Sequence, residues 1–404
     1  MTPWPLHDVA HLDLRAFIAI LQSLVQAAVS RHTPLGLSAR PPLEFATLCW
    51  DDTGLDASAR ADVTRQFNAM FHTTVPVPQR DAVCGVLAQT VFSAWEQSAR
   101  PVTFFTSGST GAPKPCTHLE SHLRQEITSL APLAAGRSAA LVTAPLHHMY
   151  GFTFGLLLPL SLKIPLRSVP PLPTLVEAQM RPGDLVVGIP LLWTRLTALR
   201  GWRADAAAVR RRNITLFTAT SPTPADVLAA LINQGFELVD FFGASEVGAV
   251  CYRRSPEAPF TLLPHITCKN KDGVTHFARR LPDGEPRLYP IMDNITWIDE
   301  RRLLPGARLD KAVQVGGINV YPGRVAAGLS AHPGVEGCLV RLMRPEEGAR
   351  LKAFVVPRPG WKTDALRKDL MQYARREFTD AQRPGHYAFG PELPRNIMGK
   401  PGDW

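Results

Sequence analysis

The chain has 404 residues, 45% of them hydrophobic and 20% charged, and carries a formal net charge of +9. That length suits a sizeable core and at least two domains, and the composition excludes a disordered chain. Six cysteines with no C-x-x-C pair and no zinc spacing exclude a zinc ribbon and read as reduced thiols.

The N-terminal stretch Met1–Asp13 holds His7, Asp8 and Asp13 and lacks the basic-then-apolar order of a secretory signal. Arg15–Val29 reads as an amphipathic helix. No motif marks the rest of residues 1–100. Val102–Phe105 then predicts a short buried strand. Behind it, Thr106, Ser107, Ser109 and Thr110 offer hydroxyls, Gly108 and Gly111 let backbone N–H groups approach phosphate oxygens, and Lys114 adds a positive charge. A nucleoside-triphosphatase P-loop is excluded, because Pro113 stands where that motif needs glycine and Pro115 where it needs Ser or Thr. Taken alone, the stretch leaves a polyphosphate cradle and a solvated surface loop both open. Thr117 and Glu120 stand at capping-box spacing before Leu123, Ile127 and Leu130, which predicts an amphipathic helix after the loop.

Ala139–Thr143 reads as a strand, followed by Pro-Leu-His-His-Met-Tyr-Gly at Pro145–Gly151. As strand neighbours, His147 and His148 would point to opposite faces and make poor partners for one metal ion. One of them faces a pocket, with Tyr150, Phe152 and Phe154 as an aromatic wall; a satisfied structural histidine is the other reading. The apolar run Phe152–Leu162 is too short for the roughly twenty residues that span a bilayer, and a cytoplasmic location is expected.

Leu238–Gly248 reads as a strand entering a Gly-rich turn with one carboxylate, Glu246. A serine-hydrolase elbow is excluded by Val247, and a carboxylate beside bound polyphosphate is a natural oxygen ligand for Mg²⁺. Further on come Asp293, Arg308 and Asp310, then strand-like runs at Gly337–Leu342 and Leu351–Val356 and a helix-like Thr363–Phe378, a compact α+β module. Residues 311–404 hold fifteen Lys or Arg against nine Asp or Glu, a basic surplus that suits phosphorylated cofactors or an acidic carrier protein. No recognisable nucleic-acid module accompanies it. Lys400 stands four residues from the end, where a frayed, irrelevant terminus is ordinary.

These motifs in this order resemble the adenylate-forming superfamily of acyl-CoA synthetases, aryl-acid ligases and nonribosomal-peptide adenylation domains. Phe104–Pro115 matches its T-S-G-[ST]-T-G-x-P-K loop, Phe242–Glu246 its Y-G-x-T-E motif and Pro145–Gly151 its P-x-x-H-x-x-G segment. Val313–Pro322 matches the opening of its small C-terminal domain, and Pro394–Lys400 its closing P-x-x-x-x-G-K. The resemblance covers roughly residues 100–404 and implies an α/β fold: a large multi-sheet N-terminal domain, 1–309, shortened at its start, and a small α+β lid, 310–404. More narrowly, the chain looks like the short ligases of aryl-polyene and related pigment pathways.

The resemblance also implies roles. Thr106, Ser107, Gly108, Ser109, Thr110, Gly111 and Lys114 would hold ATP phosphates, Ser245, Asp293 and Arg308 the rest of the nucleotide, and Glu246 the Mg²⁺. His148, Phe152 and Gly243 would line the pocket of a flat aromatic acid such as a hydroxybenzoate or cinnamate. Thr106, Glu246 and Lys400 would carry catalysis, with Asp310 as hinge. The implied reaction makes an acyl-adenylate and passes the acyl group to the thiol of coenzyme A or of an acyl carrier protein. Gln314 and Arg324 depart from the family's lysine and glutamate, which keeps a non-catalytic binding or scaffold role open as the alternative.

Overall fold

The structure is a computed structural model that describes residues 9–29, 42–107, 113–199, 213–271, 274–282, 284, 286–310, 312–344, 346–394 and 404. Contacts divide the chain into two units: Met1–Thr106, Lys114–Ile291 and Ile295–Pro305 form the first, and Ser107–Pro113, Met292–Asn294 and Gly306–Trp404 the second. Asp293, placed by sequence in the larger domain, falls with the smaller unit.

The centre of the first unit is a parallel sheet built from β3 (Ala139–Val142), β4 (Leu166–Ser168), β5 (Asp184–Gly188), β6 (Thr215–Thr218) and β7 (Glu237–Ala244), ordered β4-β3-β5-β6-β7. Its inner strands β3, β5 and β6 are short, mostly apolar runs because helices cover both faces. Leu141, Val186, Leu216 and Leu238 point to one side, against Leu192, Trp193 and Leu196 of the helix Pro190–Thr197 and Val227, Leu228 and Leu231 of the helix Ala225–Asn233. Their neighbours Val142, Leu185, Val187, Phe217 and Val239 point to the other side, into the larger core. Period two along each strand sorts the two cores. The antiparallel strands β8 (Gly248–Arg253) and β9 (Phe260–Leu262) extend the sheet beyond β7, and β13 (Asp293–Trp297) with β14 (Arg302–Arg308) completes its order. A separate three-stranded antiparallel sheet holds β10 (Ile266–Lys271), β11 (Val274–Arg280) and β12 (Pro286–Pro290).

The N-terminal region has its own logic. The helices Leu14–Val29, Ala57–Phe71 and Cys84–Glu96 meet around an aromatic cluster in which Phe17 lies 4.1 Å from Phe71 and 5.1 Å from both Phe92 and Trp95. Phe17, Phe67, Phe71 and Trp95 have no solvent exposure.

Three local expectations are corrected. The strand β1 (Pro101–Ser107) is followed by a second strand, β2 (Pro113–Leu119), so the order is strand, loop, strand, helix. The helix begins at Glu120 without a side-chain cap. Thr117, read as a cap, pairs instead across the hairpin with Thr103 at 2.7 Å, and Glu120 is buried, accepting the Leu12 N–H at 2.8 Å and facing Arg100 at 3.3 Å. Tertiary partners for the two side chains outcompete the local capping box. The two histidines likewise occupy a turn rather than a strand, and their rings lie side by side at 4.4 Å.

In the second unit, β17 (Val335–Leu342), β18 (Leu351–Pro357) and β19 (Pro384–Phe389) form a sheet, antiparallel then parallel, with the helix Thr363–Glu377 as the crossover. Leu366 and Leu370 of that helix pack on Ala353, Val355 and Tyr387. The hairpin of β15 (Val313–Val315) and β16 (Ile318–Val320) precedes it, turning at Gly316 and Gly317.

Candidate active site

In the order β4-β3-β5-β6-β7 the chain leaves β3 toward one edge, then returns to β3's other side at β5. Such a reversal opens a crevice beyond the carboxyl ends of the strands, where ligands of open parallel sheets bind. Two of these ends carry a segment singled out by sequence, the histidine turn after β3 and Ser245-Glu246 after β7; Gly188 ends β5 and Ala219-Thr220-Ser221 follows β6.

The histidine turn is fixed from two sides. Gly151 brings the chain so close to Pro145 that a Cβ would lie 2.1 Å from the Pro145 carbonyl oxygen. Ser23, buried in the first helix, accepts the Leu146 N–H at 3.0 Å and bonds His147 Nδ1 at 2.9 Å. His148 is accessible yet closely surrounded, and lost hydration lowers its pKa, leaving a neutral ring at the crevice. The Tyr150 hydroxyl lies 2.9 Å from both the Gly188 and the Phe217 carbonyl oxygens, straddling the ends of β5 and β6. Burial raises its pKa well above 10.0 and keeps it a neutral donor. Phe152 is fully buried with its ring 5.1 Å from Phe104 of β1, so it supports the pocket from behind. Phe154 sits 5.0 Å from the Tyr150 ring. Gly243 is exposed near the end of β7 at a register shift.

Lys114 on β2 and Glu246 after β7, 132 residues apart in sequence, meet at 3.0 Å between Nζ and Oε1. Their side chains are 59% and 41% exposed, so the pair adds little stability, and its interest is the charge it concentrates at one place. His118 Nε2 holds the Ser245 carbonyl oxygen at 2.7 Å. Thr106 and Ser107 end β1, while Gly108, Ser109, Thr110 and Gly111 lie outside the described residues, as does Lys400. After β6, Thr220 holds φ of +80°, unusual for a β-branched residue, and its Oγ1 is buried without a partner among the described residues.

In the second unit, Arg308 grips Asp310 through two bonds, Nε to Oδ1 at 2.9 Å and Nη2 to Oδ2 at 2.7 Å. Tyr321 Oη and the Ala312 N–H also donate to Asp310, each at 3.1 Å. The Arg308 bonds first, and then the other donors, lower the Asp310 pKa to about 2. Asp293 lies close enough to feel both charges, and burial raises its pKa. Gln314 donates to Asn319 across the hairpin at 3.0 Å, and the Arg324 guanidinium lies 5.4 Å from the centre of the Tyr321 ring.

ATP and Mg²⁺ fit this chemistry. Among the described residues no group of three or more His, Cys, Asp or Glu could cage a metal ion. A single carboxylate is the protein share usual for Mg²⁺ that arrives with phosphates, and Thr220 Oγ1 is a buried polar atom with no partner among the described residues. Sequence reading missed Ser23, His118 and Glu126, although polar residues on the apolar faces of their elements were a signal. No described helix is long and apolar enough to cross a membrane.

Comparisons with known proteins give the family. Residues 60–274 match the model of the AMP-binding enzyme family, and residues 325–400 that of the AMP-binding enzyme C-terminal domain. A 4-coumarate–CoA ligase of Halorhodospira halophila is 32% identical over 402 residues, spanning 96% of this chain and 99% of the relative. A second, from Rhodobacter capsulatus, is 37% identical over 78% of each chain. Among solved structures, the amide bond synthetase McbA from Marinactinospora thermotolerans aligns with a TM-score of 0.62 at 16% identity, over 96% of this chain and 92% of that one. A malonyl-CoA ligase complex gives 0.60 at 18% identity over 80% and 75%. These two likenesses concern the fold. The chain therefore belongs to the AMP-binding enzyme family, as a ligase that forms an acyl-adenylate and then a thioester.

Proposed function

We propose that this enzyme activates a flat aromatic acid of the hydroxycinnamate class with ATP·Mg²⁺ and transfers the acyl group to coenzyme A. The observation that carries the site is the meeting of Lys114 and Glu246 at 3.0 Å beyond the carboxyl ends of the parallel strands. The 4-coumarate–CoA ligase relatives support both the acid class and the acceptor. Tyr150, Phe154 and the neutral ring of His148 offer flat apolar surfaces without a full charge, which suits an aryl ring better than a second carboxylate.

In this reading, Lys114 and the loop from Thr106 to Gly111 hold the β and γ phosphates. Glu246 supplies the protein's oxygen to the metal ion, which when bound neutralises charge across the phosphates. Asp293 and Arg308 serve the nucleotide, and Ser245 sits beside it. The substrate carboxylate attacks the α-phosphate and pyrophosphate leaves. Lys400 stabilises the negative charge that gathers on the transferring oxygens. The thiol then attacks the acyl carbon, loses its proton, and expels AMP.

Pyrophosphate release and thioester formation, measured over a panel of aryl and alkyl acids with coenzyme A and with a holo carrier protein in parallel, test the proposal. Hydroxycinnamates with coenzyme A should turn over best. Lys400→Ala should abolish ATP–pyrophosphate exchange while ATP binding and thermal stability persist. Exchange at the parent rate in that variant rejects the role of Lys400, and absence of turnover throughout would return the protein to the scaffold reading.

A further inference from the structure

The turn that presents Glu246 is held from behind by three buried polar side chains to which no step above gives a role. His118, on β2, donates from Nε2 to the Ser245 carbonyl oxygen at 2.7 Å. Glu126, on the helix Glu120–Leu130, accepts the Ala249 N–H at 2.9 Å. Arg279, on β11, donates to the Val247 carbonyl oxygen and, through Nη2, to the His122 carbonyl oxygen at 2.5 Å. Glu126 and Arg279 pair with each other at 3.2 Å, each side chain 1% exposed. The backbone is therefore gripped at the residue before Glu246, at the residue after it, and at Ala249, while the Glu246 side chain reaches outward to Lys114.

The contact is close enough to dictate sequence. Gly248 holds φ of +92°, and a Cβ there would stand 2.1 Å from Glu126 Oε2 and 2.8 Å from Arg279 Nη1. An ion pair this buried is seldom a net gain in stability over apolar residues of the same volume, so stability alone does not account for it. Burial, the larger cause, lowers the His118 pKa to about 4, and the neutral ring must carry its proton on Nε2 to bond the Ser245 carbonyl. Three fixed partners, from a strand, a helix and a second sheet, thus converge on the five residues Ser245–Ala249.

We propose that His118, Glu126 and Arg279 are positioning residues of the adenylation site, fixing the direction of the Glu246 carboxylate toward ATP·Mg²⁺ through the 245–249 segment. The proposal rests on the role given to Glu246 above. Misdirection of a reacting or charge-bearing group by about an ångström costs up to roughly a hundredfold in rate.

The test is a double-mutant cycle read by ATP–pyrophosphate exchange, with ATP·Mg²⁺ and the acid varied separately. His118→Phe keeps a ring and removes only the donor, and Glu126→Gln keeps the Ala249 bond and removes the charge. Each should lower kcat for exchange by roughly ten- to a hundredfold and leave the acid KM within about twofold. In a Glu246→Gln background the His118→Phe penalty should vanish, because the group it aims is gone. Equal penalties in both backgrounds, or a matching rise in the acid KM, show a merely structural role and overturn the proposal while leaving Glu246 in place. Unchanged exchange in Glu246→Gln alone overturns the site reading and the proposal together. If Glu126→Gln does not fold, His118→Phe decides by itself.

Discussion

Ser23→Ala isolates how far the N-terminal helices shape the acid pocket. Ser23 is 7% exposed, and its Oγ serves both the Leu146 N–H at 3.0 Å and His147 Nδ1 at 2.9 Å. Alanine removes one oxygen with almost no change of shape, stranding a buried N–H and loosening the neighbouring ring. Such an orphaned donor costs about 1–3 kcal/mol, so a total loss near 2 kcal/mol is expected in urea titrations at pH 7. Part of that cost falls on the turn that carries His148. With 1.4 kcal/mol per tenfold, the KM for the acid should rise by up to about tenfold. The KM for ATP should stay within about twofold, because Lys114 and Glu246 stand on other strands. Steady-state kinetics with each substrate varied in turn read the split. Equal rises for ATP and acid, or a stability change below about 0.5 kcal/mol with an unmoved acid KM, would refute the reasoning.

Two further outcomes follow from backbone and charge. Gly248→Ala places a Cβ at φ of +92° and 2.1 Å from Glu126 Oε2, so thermal unfolding should show a loss above about 2 kcal/mol, and a midpoint within a degree of the parent contradicts the packing described. Asp310 has its pKa lowered from 3.8 to about 2, so its contribution to folding is fully present above about pH 4 and is lost as pH falls through about 2. Asp310→Asn should flatten the acid-unfolding curve of the full chain in that window, and an unchanged slope denies the Arg308 pairing.

The small C-terminal module was the most readable part of the chain, its two strand-like runs and its helix lying within a residue or two of β17, β18 and the helix Thr363–Glu377, whereas only β3 and β7 of the parallel sheet were read as strands. The run Ala139–Val142 is apolar without alternation because both faces are covered, and that pattern survives in one dimension. Lys114 and Glu246 were readable as chemistry, but their meeting was not, since 132 residues separate them. Thr117 and Glu120 misled for the opposite reason: their spacing satisfied a local rule, while Thr103, Arg100 and Leu12 offered better partners from afar. The first hundred residues carried no motif, because packing rings such as Phe17, Phe71 and Trp95 requires volume and burial, which no short pattern encodes. His118, Glu126 and Arg279 escaped notice since each looks like an ordinary polar residue until the turn they hold is seen in space.

The reversal of strand order at β3 and β5 has an evolutionary consequence. The groups proposed to face the acid hang from the ends of β3, β5 and β6, whereas the carboxylate opposite Lys114 follows β7 and its turn is held by elements outside that set. Inherited variation in the first set can retune which acid is accepted while the second stays intact. A lineage can therefore change diet without relearning how to handle its fuel.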